Sequence, residues 1–223
     1  MERKIAVFDF DGTIIYGDSM ILAAFYNNNI INFLFSSITF IPYLILKKFG
    51  LISSKSLKEI FLKKFKVCEL FNLNSNLTKQ KRFESEIKKR IKKEALRKIY
   101  YHKKNGDRII ICTASPNMII EAFANELNLE LIATSLISKN KKWLPLIEGK
   151  NCKGLEKVLR LENHLGQLDK YFLQVYGDSI GDKELLEVSQ KKFFRTFWKE
   201  SSFYELNLFD KIKEIIKNYF KNL

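Results

Sequence analysis

Cysteine is scarce in this chain, and what there is builds no metal site. Cys68, Cys112 and Cys152 are the only three. They have no metal-ligand spacing, and an odd number argues for a reduced compartment rather than a disulfide framework. Cys112 sits in an apolar run and is expected to be buried. Internal repeats and low-complexity segments are also missing. No signal peptide precedes the first strand, so a cytoplasmic location is expected. Acidic residues are outnumbered, 25 against 39 Lys and Arg, for a net charge of +14. A basic surface suits nucleic acid, anionic lipid or a phosphorylated substrate. An AT-rich genome, favouring Lys, Asn, Ile and Phe, would produce the same bias. The basic residues are scattered, without the interleaved aromatics that single-strand binding uses, so no nucleic-acid partner is expected.

Charge of either sign is missing from Ser19 to Leu46. Within that stretch, Ile31 to Leu46, followed by Lys47-Lys48, approaches the length of a membrane span. The Asn27-Asn28-Asn29 cluster, Pro42 and the polar Ser36, Ser37 and Thr39 count against a span. A buried helical pair is the expectation, with an interfacial patch as the alternative. In the latter case the protein is membrane-associated, with an anionic membrane surface as partner.

With 223 residues, 46% of them hydrophobic, the chain can bury one large domain, or one domain with an insert. Ile5 to Phe8 reads as a strand, and Ser53 to Phe65 as a helix. A long basic helix is expected over about 83–104, with Phe83, Ile87, Ile91, Ala95 and Ile99 on its apolar face and Asn105-Gly106 as its stop. Strands are then expected at Arg108–Cys112, Leu129–Thr134, Tyr171–Tyr176 and Lys192–Phe197. Helices are expected at Pro116–Leu127, Gly154–Asn163 and Asp182–Ser189, and a hairpin or loop at Lys141–Lys150. An amphipathic helix over Phe203–Phe220 closes the chain. Strands separated by helices give an α/β fold: a three-layer, Rossmann-like parallel sheet with helices on both faces. Sites in such sheets form beyond the carboxyl ends of the strands.

Four signals sit at those ends. The first is KIAVFDFDGT, Lys4 to Thr13. Strand alternation points Asp9 and Asp11 the same way, and Gly12 permits a sharp turn. Two carboxylates about 4 Å apart repel by roughly 4 kcal/mol at an effective dielectric near 20. A fold keeps such a pair for a cation, a shared proton or chemistry. The second is Ile109 to Pro116. Here the Thr113 hydroxyl and the N–H groups of Ala114 and Ser115 meet a helix N-terminus, an anion site unless Thr113 or Ser115 is only a cap. The third is GKNCKGLEKV, Gly149 to Val158. Lys153 and Lys157 are one helical turn apart, and either could reach a phosphate. The fourth is VYGDSIGD, Val175 to Asp182, which adds Asp178 and Asp182. Four acids converging at one sheet edge require a cation, and Mg²⁺ is the expected one.

Taken together and in this order, DFDGT, the strand ending at Thr113, the downstream lysine and GDSIGD resemble the four motifs of the haloacid dehalogenase superfamily of phosphohydrolases. The long insert after the first motif is similar to the helical cap of its phosphoserine-phosphatase-like branch. By that resemblance residues 1–16 and 82–223 form the catalytic core and residues 17–81 the cap, with a boundary near the polar Asn72–Thr78. The resemblance implies a Mg²⁺-dependent phosphatase acting on a small phosphorylated metabolite. Asp9 would attack phosphorus and form an aspartyl-phosphate, and Asp11 would act as general acid and base. Asp9, the Asp11 carbonyl and Asp178 would hold the metal, with Asp182 behind. Thr113 and one lysine, by preference Lys153, would hold the phosphoryl oxygens. An acid at position 11 favours a phosphatase over a dehalogenase. The chain departs from the phosphoserine phosphatases in its cap. No arginine lies between Arg3 and Arg82, and only the shorter Asp18 stands where an acid would meet a substrate ammonium. A lipid phosphatase of the same chemistry, similar to the phosphatidylglycerophosphate phosphatases, is the alternative reading.

Overall fold

The computed structural model describes residues 3–72 and 77–198. Its first strand, β1 (Arg3–Phe8), sets the layering through its alternation. Ile5 and Val7 enter one apolar cluster with Ile110, Cys112 and Val175. Ala6 and Phe8 enter another with Ile109, Ile111 and Tyr176. A strand apolar on both faces must be covered on both.

After β1 come α1 (Ser19–Asn27), α2 (Ile30–Lys48), α3 (Ser54–Lys64), a 3₁₀ turn (Val67–Phe71), α4 (Leu77–Lys89) and α5 (Lys93–Lys104). The chain continues through β2 (Arg108–Pro116), α6 (Asn117–Glu126), β3 (Glu130–Thr134), β4 (Leu136–Lys139) and β5 (Lys142–Ile147). It then runs through α7 (Leu155–Leu165), β6 (Tyr171–Gly177), α8 (Lys183–Glu187) and β7 (Lys191–Phe194). Five strands form one parallel sheet in the order β3-β2-β1-β6-β7. The fold is therefore the α/β parallel sheet expected. The chain leaves β1 toward β2 and β3, then returns to β6 on the other side. The strand order thus reverses between β1 and β6, where open α/β sheets form their sites. Across this point Phe8 stacks on Tyr176 at 4.3 Å, and Tyr176 on Phe193 at 4.4 Å. β4 and β5 pair as a separate antiparallel hairpin.

Two expectations need correction. The long basic helix is two helices. Residues 90–92 leave the helical path because their backbone pairs with the turn after β1: Tyr16 N–H donates to Arg90 O, and Lys92 N–H to Ile14 O, both at 2.9 Å. The apolar face nevertheless holds across the break, with Phe83, Ile87, Ala95 and Ile99 all buried. The uncharged stretch does form a helical pair, but only α1 is well buried. In α2 only Phe33 and Phe40 are buried. The expected boundary at residue 82 falls inside α4. The closing helix over 203–220 and residues 73–76 of the boundary turn lie outside the described residues.

Candidate active site

The strand geometry of β1 ends at Phe8, but the Asp9 N–H still donates to Tyr176 O at 2.9 Å, so β6 fixes its backbone. The chain then turns tightly. Phe10 O accepts from Ile14 N at 2.8 Å and Ile15 N at 3.1 Å, and Gly12 adopts φ +75°. Lys92 locks the turn from outside, its Nζ donating to Gly12 O at 2.5 Å. A side chain at Gly12 would collide with Asp178.

At the bottom of this turn, oxygens of Asp9, Asp178 and Asp182 lie within 4.8 Å of one another. Lys157, in the first turn of α7, is 2% exposed and projects into the group. Its Nζ donates to Asp9 Oδ1 at 2.7 Å and to Asp182 Oδ1 at 2.5 Å. The other Asp182 oxygen, Oδ2, accepts from the N–H groups of Asp178 (3.2 Å) and Ser179 (3.0 Å) and from the Ser179 hydroxyl (2.9 Å). Asp182 thus ties α7 to the loop after β6. Asp178 Oδ1 accepts from Thr13 Oγ1 at 3.4 Å.

The electrostatics follow from Lys157 facing three acids, with Lys92 acting on Asp178. Burial raises Asp9 to about 7, aided by the charges of Asp182 and Asp178 and opposed by Lys157. Burial and the Asp182 charge raise Asp178 as well, against Lys92, Lys157 and the Thr13 hydrogen bond. Burial also works against the Asp182 charge, but Lys157 and the Ser179 donors prevail and hold it below its ordinary value. Lys157 stays charged because Asp9 and Asp182 overcome its own burial. The site is short of positive charge, and its donors are all oxygen. That set fits a hard divalent cation. Both Asp182 oxygens are already committed, so Asp9 and Asp178 are the carboxylates with an oxygen to offer.

Asp11 is held by a second set of donors. Its Oδ1 accepts from Ser19 N at 2.7 Å, and its Oδ2 from the Ser19 hydroxyl at 3.2 Å and from the Ser115 hydroxyl. Asp9 and Asp11 thus hold different partners, Lys157 for the first and Ser19 and Ser115 for the second, and the Asp9 charge still acts on Asp11. Burial, then the Asp18 charge, raises Asp11 to about 8 against its hydrogen bonds. Asp18 is exposed and caps α1, accepting from Ile21 N at 2.9 Å.

The anion-site expectation is also revised. Pro116 disfavours a helical Ser115, so α6 begins only at Asn117. Thr113 is buried and its hydroxyl accepts from Ser115 N at 3.0 Å, three residues before Pro116 at the N-cap of α6. The Ala114 carbonyl accepts from Thr134 Oγ1 and from Lys58 Nζ, each at 2.6 Å. Of the two lysines, the structure brings Lys157 to the carboxylates. Lys153 is exposed, because it precedes Gly154 (φ +64°), where the path turns into α7. The preference for Lys153 is therefore reversed.

Sequence reasoning missed Lys58. From α3 it reaches Ala114 O and Asn151 Oδ1, both at 2.6 Å, and burial lowers its pKa to about 8 against the pull of Asp18 and Asp11. Among so many lysines nothing marked it. Ser19 and Lys92 were missed too. The only available signal for Ser19 was its place directly after the Asp18 cap.

A model of the haloacid dehalogenase-like hydrolase family matches residues 6–187. Protein CicA of Caulobacter vibrioides is 35% identical over 94 residues, spanning 41% of this chain and 42% of that protein. The matched segment is thus under half the length of that relative. A protein of unknown function from Bordetella pertussis Tohama I has a similar structure, with TM-score 0.72, 20% identity, and coverage of 84% of this chain and 87% of that one. So does a phosphoserine phosphatase captured as an analogue of its phospho-aspartyl intermediate, with TM-score 0.53, 17% identity, and coverage of 91% and 92%. At these identities the structural likeness is one of fold.

Proposed function

The chain belongs to the haloacid dehalogenase-like hydrolase family, and on that premise we propose that it is a Mg²⁺-dependent phosphatase that cleaves a phosphomonoester through an aspartyl-phosphate on Asp9. One observation carries this reading: Asp9, Lys157 and the pair Asp178 and Asp182, from three separate stretches of chain, meet in one cluster. The phosphoserine phosphatase of similar fold, captured as its phospho-aspartyl analogue, supports the same chemistry.

The residues divide the work as follows. Asp9 must be ionised to attack, and its burial opposes that. Lys157, on Oδ1, favours the ionised form and leaves the other oxygen to form the new O–P bond. As that bond forms, the ester P–O bond breaks. Asp11, with its pKa near 8, is protonated at neutral pH and gives its proton to the leaving oxygen. The Ser19 N–H and Ser115 hydroxyl aim it. Water then attacks phosphorus, Asp11 recovers a proton from it, and the acyl–phosphate bond breaks to restore the Asp9 carboxylate. Mg²⁺, held by Asp9, the Asp11 carbonyl and Asp178, would neutralise phosphoryl and carboxylate charge. Asp182 serves as positioning residue for Lys157 and for the loop carrying Asp178. The Thr113 hydroxyl and the Ala114 N–H would hold the phosphoryl oxygens, the Ser115 N–H being taken by Thr113.

The inserted helices serve as the cap, and the substrate is a small cytoplasmic phosphorylated metabolite. The cap supplies Lys58 and no arginine, which disfavours phosphoserine itself. A phosphate-release screen over phosphoamino acids, sugar phosphates and phosphatidylglycerophosphate tests the proposal. Turnover should require Mg²⁺, and Asp9→Asn should lower it by at least ~10³-fold. Full activity in Asp9→Asn, or turnover indifferent to chelation, would refute it.

A further inference from the structure

α2 has an apolar side that nothing among the described residues covers. Ile31, Phe35, Ile38 and Ile45 follow one another at helical spacing, and each is half or more exposed. Phe49 and Leu51, 72% and 70% exposed, continue the surface past the helix end. The opposite side is anchored. Phe33 packs on Phe65, Phe40 packs on Phe61 and Phe65, and Ser36 Oγ donates to Lys64 O at 3.3 Å.

Length and hydropathy alone would let α2 cross a membrane: it has 19 residues and a mean hydropathy of 1.6. A span, however, would have to abandon the α3 contacts. A helix anchored on one side and apolar on the other lies along an interface. Its small polar residues suit that setting. The Ser37 and Thr39 hydroxyls close on the carbonyls of Phe33 (2.8 Å) and Ser36 (3.2 Å), so neither requires water.

The rim selects the occupant. Between Asp18 and Glu59 there is no acidic residue, while Lys47 and Lys48 lie in the last turn of α2. A second copy of this chain would set like charges against these lysines. An anionic bilayer would complement them, each lysine near the surface adding to the attraction. We propose that the α2 face docks the protein on an anionic lipid surface, with Phe35, Ile38 and their neighbours at the acyl boundary and Lys47 and Lys48 among the headgroup phosphates. The proposal does not depend on which ester the active site cleaves.

Flotation of the full chain tests it, using phosphatidylcholine vesicles with and without about one third phosphatidylglycerol. At low salt the protein should float with the anionic vesicles and stay behind with the neutral ones. Phe35→Ser with Ile38→Ser should weaken retention at least ~10-fold while hydrolysis of a soluble ester is unchanged. Lys47→Glu with Lys48→Glu should abolish the preference for the anionic vesicles. Three results would overturn the proposal: a wild-type protein that never floats with the anionic vesicles, equal retention of the serine variant, or a lipid-indifferent dimer by light scattering that the serine substitutions split.

Discussion

A Cβ on Gly12 would stand 2.1 Å from Asp178 Oδ2. The turn after β1 and the loop after β6 are in contact through this one position, and both carry acids of the cluster. Gly12 also has φ +75°, a region that costs other L-residues about 1–2 kcal/mol. Gly12→Ala should therefore displace Asp178 from Asp9. The expected result is a fall in kcat/KM of at least ~10²-fold with a weaker Mg²⁺ requirement curve, measured by phosphate release across a metal titration.

Lys157 bonds two carboxylates of the three-acid cluster, and its removal strands buried negative charge. Lys157→Met should lower stability by about 3–5 kcal/mol near neutral pH. The sign with pH is testable. Asp9 and Asp178 already have raised pKa values, and without Lys157 they would rise further. The defect should thus shrink on acidification, as those carboxyls protonate, and grow toward pH 8. Urea melts at several pH values check this.

Asp11 gives a second pH prediction. Its folded value, about 8, lies above the ordinary 3.8. Between these values the folded state holds a proton that the unfolded chain has released, so its contribution to stability falls as pH rises. Asp11→Asn removes that penalty. In chelator, the variant should gain at least ~1 kcal/mol relative to wild type at pH 8, with little difference at pH 4. Its turnover should be nearly lost at both. Thermal melts and a phosphate-release assay read the two effects separately.

Lys58 bridges α3 to Ala114 and Asn151 on the sheet side of the site. Lys58→Met should loosen that attachment. Faster amide exchange over Ser54–Lys64, and a KM raised about tenfold with kcat changed less, are the expected outcomes. Unchanged exchange and kinetics would remove Lys58 from the account.

The parallel sheet was legible because Ile5–Phe8 of β1 and Ile109–Cys112 of β2 are apolar on both faces, and the acids after β1 and β6 are adjacent in sequence to those strands. What stayed hidden depended on contacts distant along the chain. The break at residues 90–92 is imposed by Ile14–Tyr16, which no helical periodicity records. The choice of Lys157 over Lys153 turns on the left-handed Gly154, which sets where α7 begins. The donors that hold Asp11, Ser19 and Ser115, come from α1 and the end of β2, which the first motif alone does not record. The exposure of α2 was least visible, since an uncharged run reads alike whether it packs inward or faces out.

The most direct test of the central claim is to trap the phosphorylated enzyme. Substrate mixed with protein and Mg²⁺, quenched in acid and digested, should yield the Lys4–Thr13 peptide carrying one phosphoryl group on Asp9, absent from Asp9→Asn. A phosphoryl group on any other residue, or steady turnover by Asp9→Asn at the wild-type rate, would contradict the account.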